Sequence, residues 1–313
     1  MAGAAVGNGS PAARREDSRG DGEDELRDSE HLRELITATI ESCVRSSSLR
    51  AMWRPPLVGF ASASDARFGE LRERIVPSHA LPADLLPGAK TIVSYFLPFA
   101  ESIVRANAAD RFKVAREWAE AYRATNVQIE GINQTLLLVL KEIDVSTAAE
   151  PPTGRFDRET LTSTWSHKSV AAIAGLGSFG MHRMLITDSG SAGRFGSLVI
   201  DADVGVEKAD VGAKGAERRE RCRYLADGEC LECVRLCPVG AIKTTGGFDR
   251  QVCWARCQSV AAAFADIPRA EVCGKCAAGP CALGAAARPR TDQGAPRPEE
   301  EAVERSDPAA GGG

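Results

Sequence analysis

Nine of the ten Cys in this 313-residue chain fall between positions 222 and 281. That crowding constrains the fold more than any other feature. The first group is Cys222, Cys230, Cys233 and Cys237, with Pro238 directly after; the second is Cys253, Cys257, Cys273, Cys276 and Cys281. The run Cys230-x-x-Cys233-x-x-x-Cys237-Pro238 has the ending of a bacterial ferredoxin motif. Two intervening residues let a tight turn present two thiolates to one iron–sulfur cube. The next Cys, placed before a Pro that suits a first helical turn, points to the other cube. Cys273-x-x-Cys276 and Cys281 form a looser second copy. Two clusters with four thiolate ligands each use every thiolate of the region but one. The competing reading is all-thiolate zinc, which the Cys-x-x-Cys pairs also permit but which leaves the Cys–Pro unexplained.

Nothing else in the totals points to another class. The formal net charge of −4 gives no reason to expect bulk electrostatic attraction to nucleic acid or membrane. No apolar run is long enough to span a bilayer. Arg14-Arg15 are followed by acidic residues, so neither a secretory nor a twin-arginine signal is expected and the chain is read as cytoplasmic. In a reducing compartment clustered Cys signify metal rather than disulfides.

Four segments are expected: a disordered tail over 1–30, a mixed helix–strand domain over 31–205, a Cys-rich domain over 206–286 and a disordered tail over 287–313. The tails are too poor in large apolar residues to offset the cost of ordering. Leu32, Leu35, Ile36, Ile40, Cys43 and Val44 share one helical face, and Cys43 is expected to be a small core residue. Leu57–Ala61 and Thr91–Leu97 read as strands. Asp65 is placed to cap a helix carrying Phe68, Leu71 and Ile75. A long helix follows, buried along Trp118, Tyr122, Thr125, Ile129, Ile132, Leu136 and Leu140. Residues 159–173 read as helix and lead into Gly175, Gly177 and Gly180. Short strands are expected at Met184–Thr187 and Phe195–Ile200, and a linker at 207–221. Helices alternating with strands argue for an α/β or α+β domain.

The string Gly175-x-Gly177-x-x-Gly180 is not read as a dinucleotide site, because a helix precedes it and a strand follows, the reverse of the Rossmann order. Glycines there could let backbone lie against a corrin or flavin edge, or simply form a packing turn. His167 and His182 are the nearby candidates for a general acid, with Asp157 and Tyr95 ranked below them.

Several of these stretches resemble the epoxyqueuosine reductase-like iron–sulfur proteins. The likeness runs through the Cys–Pro run followed by Gly240-Ala241-Ile242, through Phe248-Asp249-Arg250-Gln251-Val252-Cys253, and through Cys273-Gly274-Lys275-Cys276. It extends to Leu57–Ala61, the segment Ala174–Gly180 and the strand Gly193–Ile200. The resemblance implies a nitroreductase-like α/β domain followed by a ferredoxin-like double [4Fe–4S] domain. It also implies a cobalamin in the first domain, with Gly175, Gly177 and Gly180 as its contacts. Electrons from a donor such as ferredoxin or flavodoxin would pass to a small-molecule or tRNA substrate.

Combined with ligand crossing between cubes, it assigns Cys222, Cys230, Cys233 and Cys281 to cluster 1 and Cys237, Cys253, Cys273 and Cys276 to cluster 2. Cys257 is left spare. Three departures from the family pattern stand out. Seven residues separate Cys222 from Cys230. Leu161 stands near the place of the family's acidic catalytic residue. The chain ends soon after Cys281, without the family's helical-repeat extension, so a shorter branch is the nearer match. The alternatives are a two-cluster electron carrier without chemistry of its own, and a zinc-stabilised tRNA-binding protein. The second would use the basic residues Arg218, Arg219, Arg221, Arg223, Arg235, Lys243, Arg250 and Arg256.

Overall fold

A computed structural model describes residues 18–151, 156–206 and 220–284, with side chains from 29 onward. In chain order the regular elements are α1 (Ser18–Ser46), β1 (Leu57–Ser62), α2 (Arg67–Arg74), α3 (Pro82–Leu85), β2 (Thr91–Pro98), α4 (Glu101–Ala108) and α5 (Arg116–Lys141). They continue with β3 (Thr147–Ala148), β4 (Phe156–Asp157), β5 (Thr162–Ser163), α6 (His167–Ile173), β6 (Gly177–Phe179), β7 (Leu185–Thr187) and β8 (Gly193–Ile200). The Cys-rich part adds α7 (Arg223–Asp227), α8 (Glu232–Leu236) and α9 (Arg250–Ala263). α1 begins upstream of His31, inside the segment expected to lack structure. Residues 207–219 of the expected linker and the whole 287–313 tail lie outside the described residues.

A four-stranded sheet in the order β1-β2-β8-β3 organises the first part. All of its pairings are antiparallel, with Tyr95 opposite Val58 on one side and Gly196 on the other. The architecture is therefore a mixed α+β unit rather than a parallel α/β one. Every residue of β2 is buried, so the sheet is covered on both faces. Alternation along the strand decides which neighbour each side chain meets. Val93, Tyr95 and Leu97 join Leu198 and Ile200 against Ile36 and Ile40 of α1 and Ile129, Ile132 and Leu136 of α5. On the other face Ile92 and Val199 pack with Phe68, Leu71, Val170 and Ile173 from α2 and α6. Asp65 stands one residue before the α2 cap position, which Ala66 takes without a side-chain bond; its carboxylate accepts the Arg67 N–H at 2.9 Å and pairs with the Arg67 guanidinium.

The expected helix over 159–173 is corrected. Only His167–Ile173 is helical, with the Ser166 hydroxyl accepting the Ser169 N–H as its cap. Upstream, Asp157 accepts the N–H groups of Glu159 and Thr160 at 2.7 and 3.0 Å and closes a turn between β4 and β5. Leu161 then takes a left-handed conformation (φ 55°) that no helix continues through.

The Cys-rich part does not stand on a core of its own. Met181, Cys237, Ala241 and Ile242 form a small cluster there with several of the other Cys. Val260, Ile267, Ala270, Val272 and Ala282 instead join the main core of the sheet unit. Ser191 and Ala192 donate backbone N–H groups to the carbonyls of Cys281 and Ala282 at 2.9 and 3.1 Å. Arg54 donates to the carbonyls of Phe99, Leu283 and Ser189. Buried Lys275 donates to the carbonyls of Asn107 and Lys113, while Asn107 donates its side-chain amide to the Cys273 carbonyl.

Gly190 permits this junction. It sits at φ 84°, and a Cβ there would overlap the Ala282 carbonyl. Gly190→Ala is expected to lower stability by about 1–3 kcal/mol through overpacking, read as a fall in Tm. Gly69→Ala, at a helical position with no atom within 4 Å of the added Cβ, should raise stability by up to ~1 kcal/mol.

Candidate redox site

None of the ten Cys forms a disulfide. Their thiols gather into two neighbourhoods. Burial first, then the nearby Cys281, Cys222 and Cys230, push the Cys233 thiol up to about 11. Cys276 is likewise raised, by burial first and then by Cys253, Cys273 and Cys237, with Cys233 last. These couplings put Cys222, Cys230 and Cys281 near Cys233, and Cys237, Cys253, Cys257 and Cys273 near Cys276, with Cys233 adjoining both groups. Among the described residues no three His, Cys, Asp or Glu side chains are arranged to hold a single metal ion.

Two local features mark the sets as built. Cys230 has φ 107°, a conformation a β-carbon strongly disfavours and surrounding structure must enforce. The Ala241 backbone N–H donates to the Cys237 sulfur at 3.2 Å. Cys257 lies one turn after Cys253 on α9 and shares a hydrogen bond with it. That bond is the main cause lowering Cys253 to about 7, and it raises Cys257. Cys253 is therefore the readier thiolate of the two, and Cys257 the donor to it.

A cavity of about 1060 Å³ separates the second set from the sheet unit. Cys237, Cys253, Cys257, Cys273 and Cys276 line one wall. Trp118, Tyr122, Trp165, Phe179 and Phe195 contribute to the rest. Three N–H groups from cavity-lining side chains are buried with no hydrogen-bond partner among the described residues: Trp118 Nε1, Arg194 Nε and Arg256 Nε. The Arg194 guanidinium also lies 4.2 Å from the centre of the Tyr122 ring. Leu161 lines the same cavity. Sequence reasoning did not find Trp118, Tyr122 or Arg194 as site residues, because the two aromatics sit in a helical core stripe and Arg194 sits in a strand.

The three glycines named from the sequence are placed differently. None lines the cavity. Gly175 ends α6 with φ 78°. A Cβ on Gly177 would strike the Ile186 backbone of the paired strand, and one on Gly180 would meet the His182 ring at 2.8 Å. Gly177 and Gly180 are fitted to the β6–β7 hairpin, and Gly175 to the left-handed end of α6.

The two histidines line the cavity with both ring nitrogens engaged. Trp165 Nε1 donates to the Ser197 hydroxyl at 3.0 Å, leaving that hydroxyl to donate to His167 Nδ1 at 2.8 Å. The opposite nitrogen of His167 is left to the Pro151 backbone. For His182, the Met184 N–H donates to Nδ1 at 3.1 Å, and Nε2 lies 3.3 Å from Cys281 Sγ. Burial is the main cause lowering each imidazole to about 4, aided by the Arg194 charge for His167 and the Lys168 charge for His182. Both rings are neutral near pH 7, which argues against either as a resting general acid. Tyr95 is enclosed in the core, donating to Asn133. Asp157 is an exposed turn carboxylate, its pKa lowered by the N–H bonds it accepts.

No family model matches the chain. A curated epoxyqueuosine reductase from Bacillus cereus is 24% identical over 219 residues. The chain is similar to epoxyqueuosine reductase. The match covers 63% of this chain and 51% of that enzyme, so the chain spans about half the length of its curated relative. A crystal structure of selenomethionine-labeled epoxyqueuosine reductase is 19% identical with a TM-score of 0.46, covering 73% of this chain and 57% of the other. The Bacillus subtilis enzyme gives 19% and 0.44 with the same coverage. A catabolic reductive dehalogenase gives 14% and 0.42, covering 63% of this chain and 26% of its own.

His167 sets a pH dependence. Its folded-state pKa of about 4 lies below the ordinary 6.5, so its contribution is fully present above pH 6.5. As pH falls from 6.5 toward 4 the unfolded chain takes up a proton the folded chain refuses. Stability should drop by at most ~1.4 kcal/mol per pH unit from this group. Urea titrations across this range should show a shallower drop in His167→Gln.

Proposed function

We propose that this chain is an iron–sulfur reductase that carries electrons through two [4Fe–4S] clusters to a cofactor or substrate in the cavity beside the second thiol set. The observation that carries the reading is the crowding of nine thiols into two adjoining neighbourhoods, the second of which lines that cavity. An all-thiolate donor set suits iron–sulfur clusters, and the Ala241 N–H to Cys237 sulfur is the kind of donor that tunes one. Cluster 1, held by Cys222, Cys230, Cys233 and Cys281, would pass electrons to cluster 2, held by Cys237, Cys253, Cys273 and Cys276. The nitroreductase-like and ferredoxin-like division, with a boundary near 205, belongs to the same reading. Its two units share the main core rather than folding apart.

Cobalamin is the cavity group the resemblance implies. The orphaned donors of Trp118 and Arg194 fit a ring fringed with amide acceptors, and these residues, not the three glycines, would hold it, whereas the Arg256 guanidinium is already bonded to the Phe112 carbonyl and the Cys273 thiol. When bound, such a group would supply a metal centre that accepts single electrons from the clusters. A proton would come from the protein. With both histidines engaged, Lys168 is the better donor: it lines the cavity, its ammonium keeps one strong acceptor, the Arg183 carbonyl at 3.1 Å, and burial lowers its pKa.

A structure of epoxyqueuosine reductase holds an epoxyqueuosine-modified tRNA stem loop, which makes tRNA one substrate to test here. The zinc-stabilised tRNA-binding reading has less support. Arg221, Arg223 and Arg235 are paired with Asp188, Glu229 and Glu232, so much of the described basic run is neutralised. Arg218 and Arg219 lie outside the described residues. No described helix is long and apolar enough to cross a membrane.

Anaerobically purified protein should contain about eight iron and about eight sulfide per chain. After reduction by dithionite it should pass electrons to epoxyqueuosine-modified stem loop in the presence of cobalamin. Zinc in place of iron overturns the reading, and clusters without turnover on any tested acceptor leave an electron carrier. Within the second set, Cys253→Ser should lose or convert one cluster. Cys257→Ser should keep both, since a serine hydroxyl can still donate to Cys253. Iron counts reversed between these variants would show that Cys257 is the ligand.

A further inference from the structure

We propose that His182 is a positioning residue for cluster 1, donating a hydrogen bond from Nε2 to the Cys281 thiolate and thereby raising that cluster's reduction potential. The inference rests on the cluster reading given above. Its geometry does not depend on the metal.

The tautomer follows from the partners. The Met184 backbone N–H can only donate, and it donates to Nδ1. In a neutral ring Nδ1 is then the acceptor and Nε2 carries the hydrogen. That hydrogen has the Cys281 sulfur at 3.3 Å. His182 is 3% exposed, so water does not compete for it. The turn that presents the ring is closed by the Gly180 N–H to the Met184 carbonyl and the Arg183 N–H to the Gly180 carbonyl, both at 2.9 Å. Arg183 accepts a left-handed conformation (φ 61°) to make it. Gly180 has no side chain because the imidazole occupies that space. Cys281 is fixed from the other side by the Ser191 N–H on its carbonyl. Three backbone constraints and one glycine thus serve a single N–H to sulfur contact.

The contact is one of two by which the sheet unit reaches the Cys281 sulfur, the other being the Ser191 hydroxyl at 3.7 Å. His182 lies on the cavity wall while bonding a thiol whose own set is absent from that wall. A donor to a ligating thiolate withdraws charge and favours the reduced, more negative cluster. Removing it should shift one cluster of the two and leave the other in place.

The test is a redox titration of the full chain with both clusters, followed by electron paramagnetic resonance. In His182→Leu one midpoint should move to more negative potential while the other stays. In His182→Gln, whose amide retains an N–H, it should return toward the wild-type value. A second measurement needs no variant. The chain has four His, and protein labelled with 15N-histidine should show weak 15N coupling to one reduced cluster. Absence of that coupling overturns the proposal. So does an unmoved midpoint in a His182→Leu protein that keeps its full iron content. A wild-type chain that binds no iron fails differently: it removes the cluster reading and leaves the His182–Cys281 bond as a packing contact.

Discussion

The junction between residues 189–192 and 281–283 carries the rest of the molecule. A Cys-rich segment of this length has too little apolar surface to fold by burial alone. Here it borrows a core, through Val260, Ile267 and Val272, and borrows backbone hydrogen bonds, through Ser191, Ala192 and the three-carbonyl grip of Arg54. Lys275 reinforces the same dependence. Its buried ammonium is costly unless satisfied, and the carbonyls that satisfy it, Asn107 and Lys113, belong to the sheet unit. The consequence is that Cys273 and Cys276, on either side of Lys275, and Cys281, at the junction itself, are positioned by elements far away in sequence.

That dependence explains what could and could not be read from the chain. β2 and α5 were legible because each carries an apolar pattern long enough to fix it; of the named α5 stripe all but the half-buried Tyr122 are buried, joined by Ala119, Ala121, Asn126 and Asn133, which the pattern did not name. The crowding of the thiols was legible because ferredoxin spacing is local. The stretch 159–173 was not, because a left-handed leucine at 161 leaves no mark in an apolar pattern. The glycines misled for a related reason. Gly177 and Gly180 look like space left for a ligand, whereas the space is filled from within, by Ile186 and by His182. The His182–Cys281 contact joins residues 99 positions apart and has no signature in either neighbourhood.

The same contact changes how the histidines should be understood. A histidine near a Gly-rich turn beside a redox site invites an acid–base role. Both rings here are instead held neutral by burial, and each nitrogen already has a partner. The polar chemistry of the cavity falls to groups with donors to spare: Lys168, the Arg194 guanidinium stacked on Tyr122, and the Trp118 indole. These three groups only donate, so this part of the wall suits an acceptor-bearing occupant, although Glu70 and Glu271 also line the cavity.

Leu161 fits this arrangement. It lies in the cavity wall near the place where the resemblance leads one to expect an acidic side chain, and holds a left-handed backbone that leucine pays for in strain. A carboxylate there would add an anion to a wall that also carries Lys168 and Arg194. An apolar side chain leaves those donors free for whatever enters. The position where the resemblance leads one to expect an acid thus holds no carboxylate. Under the proposed reading, protonation would begin from the cationic Lys168, and a cationic donor is helped by added negative charge as an acceptor is reduced.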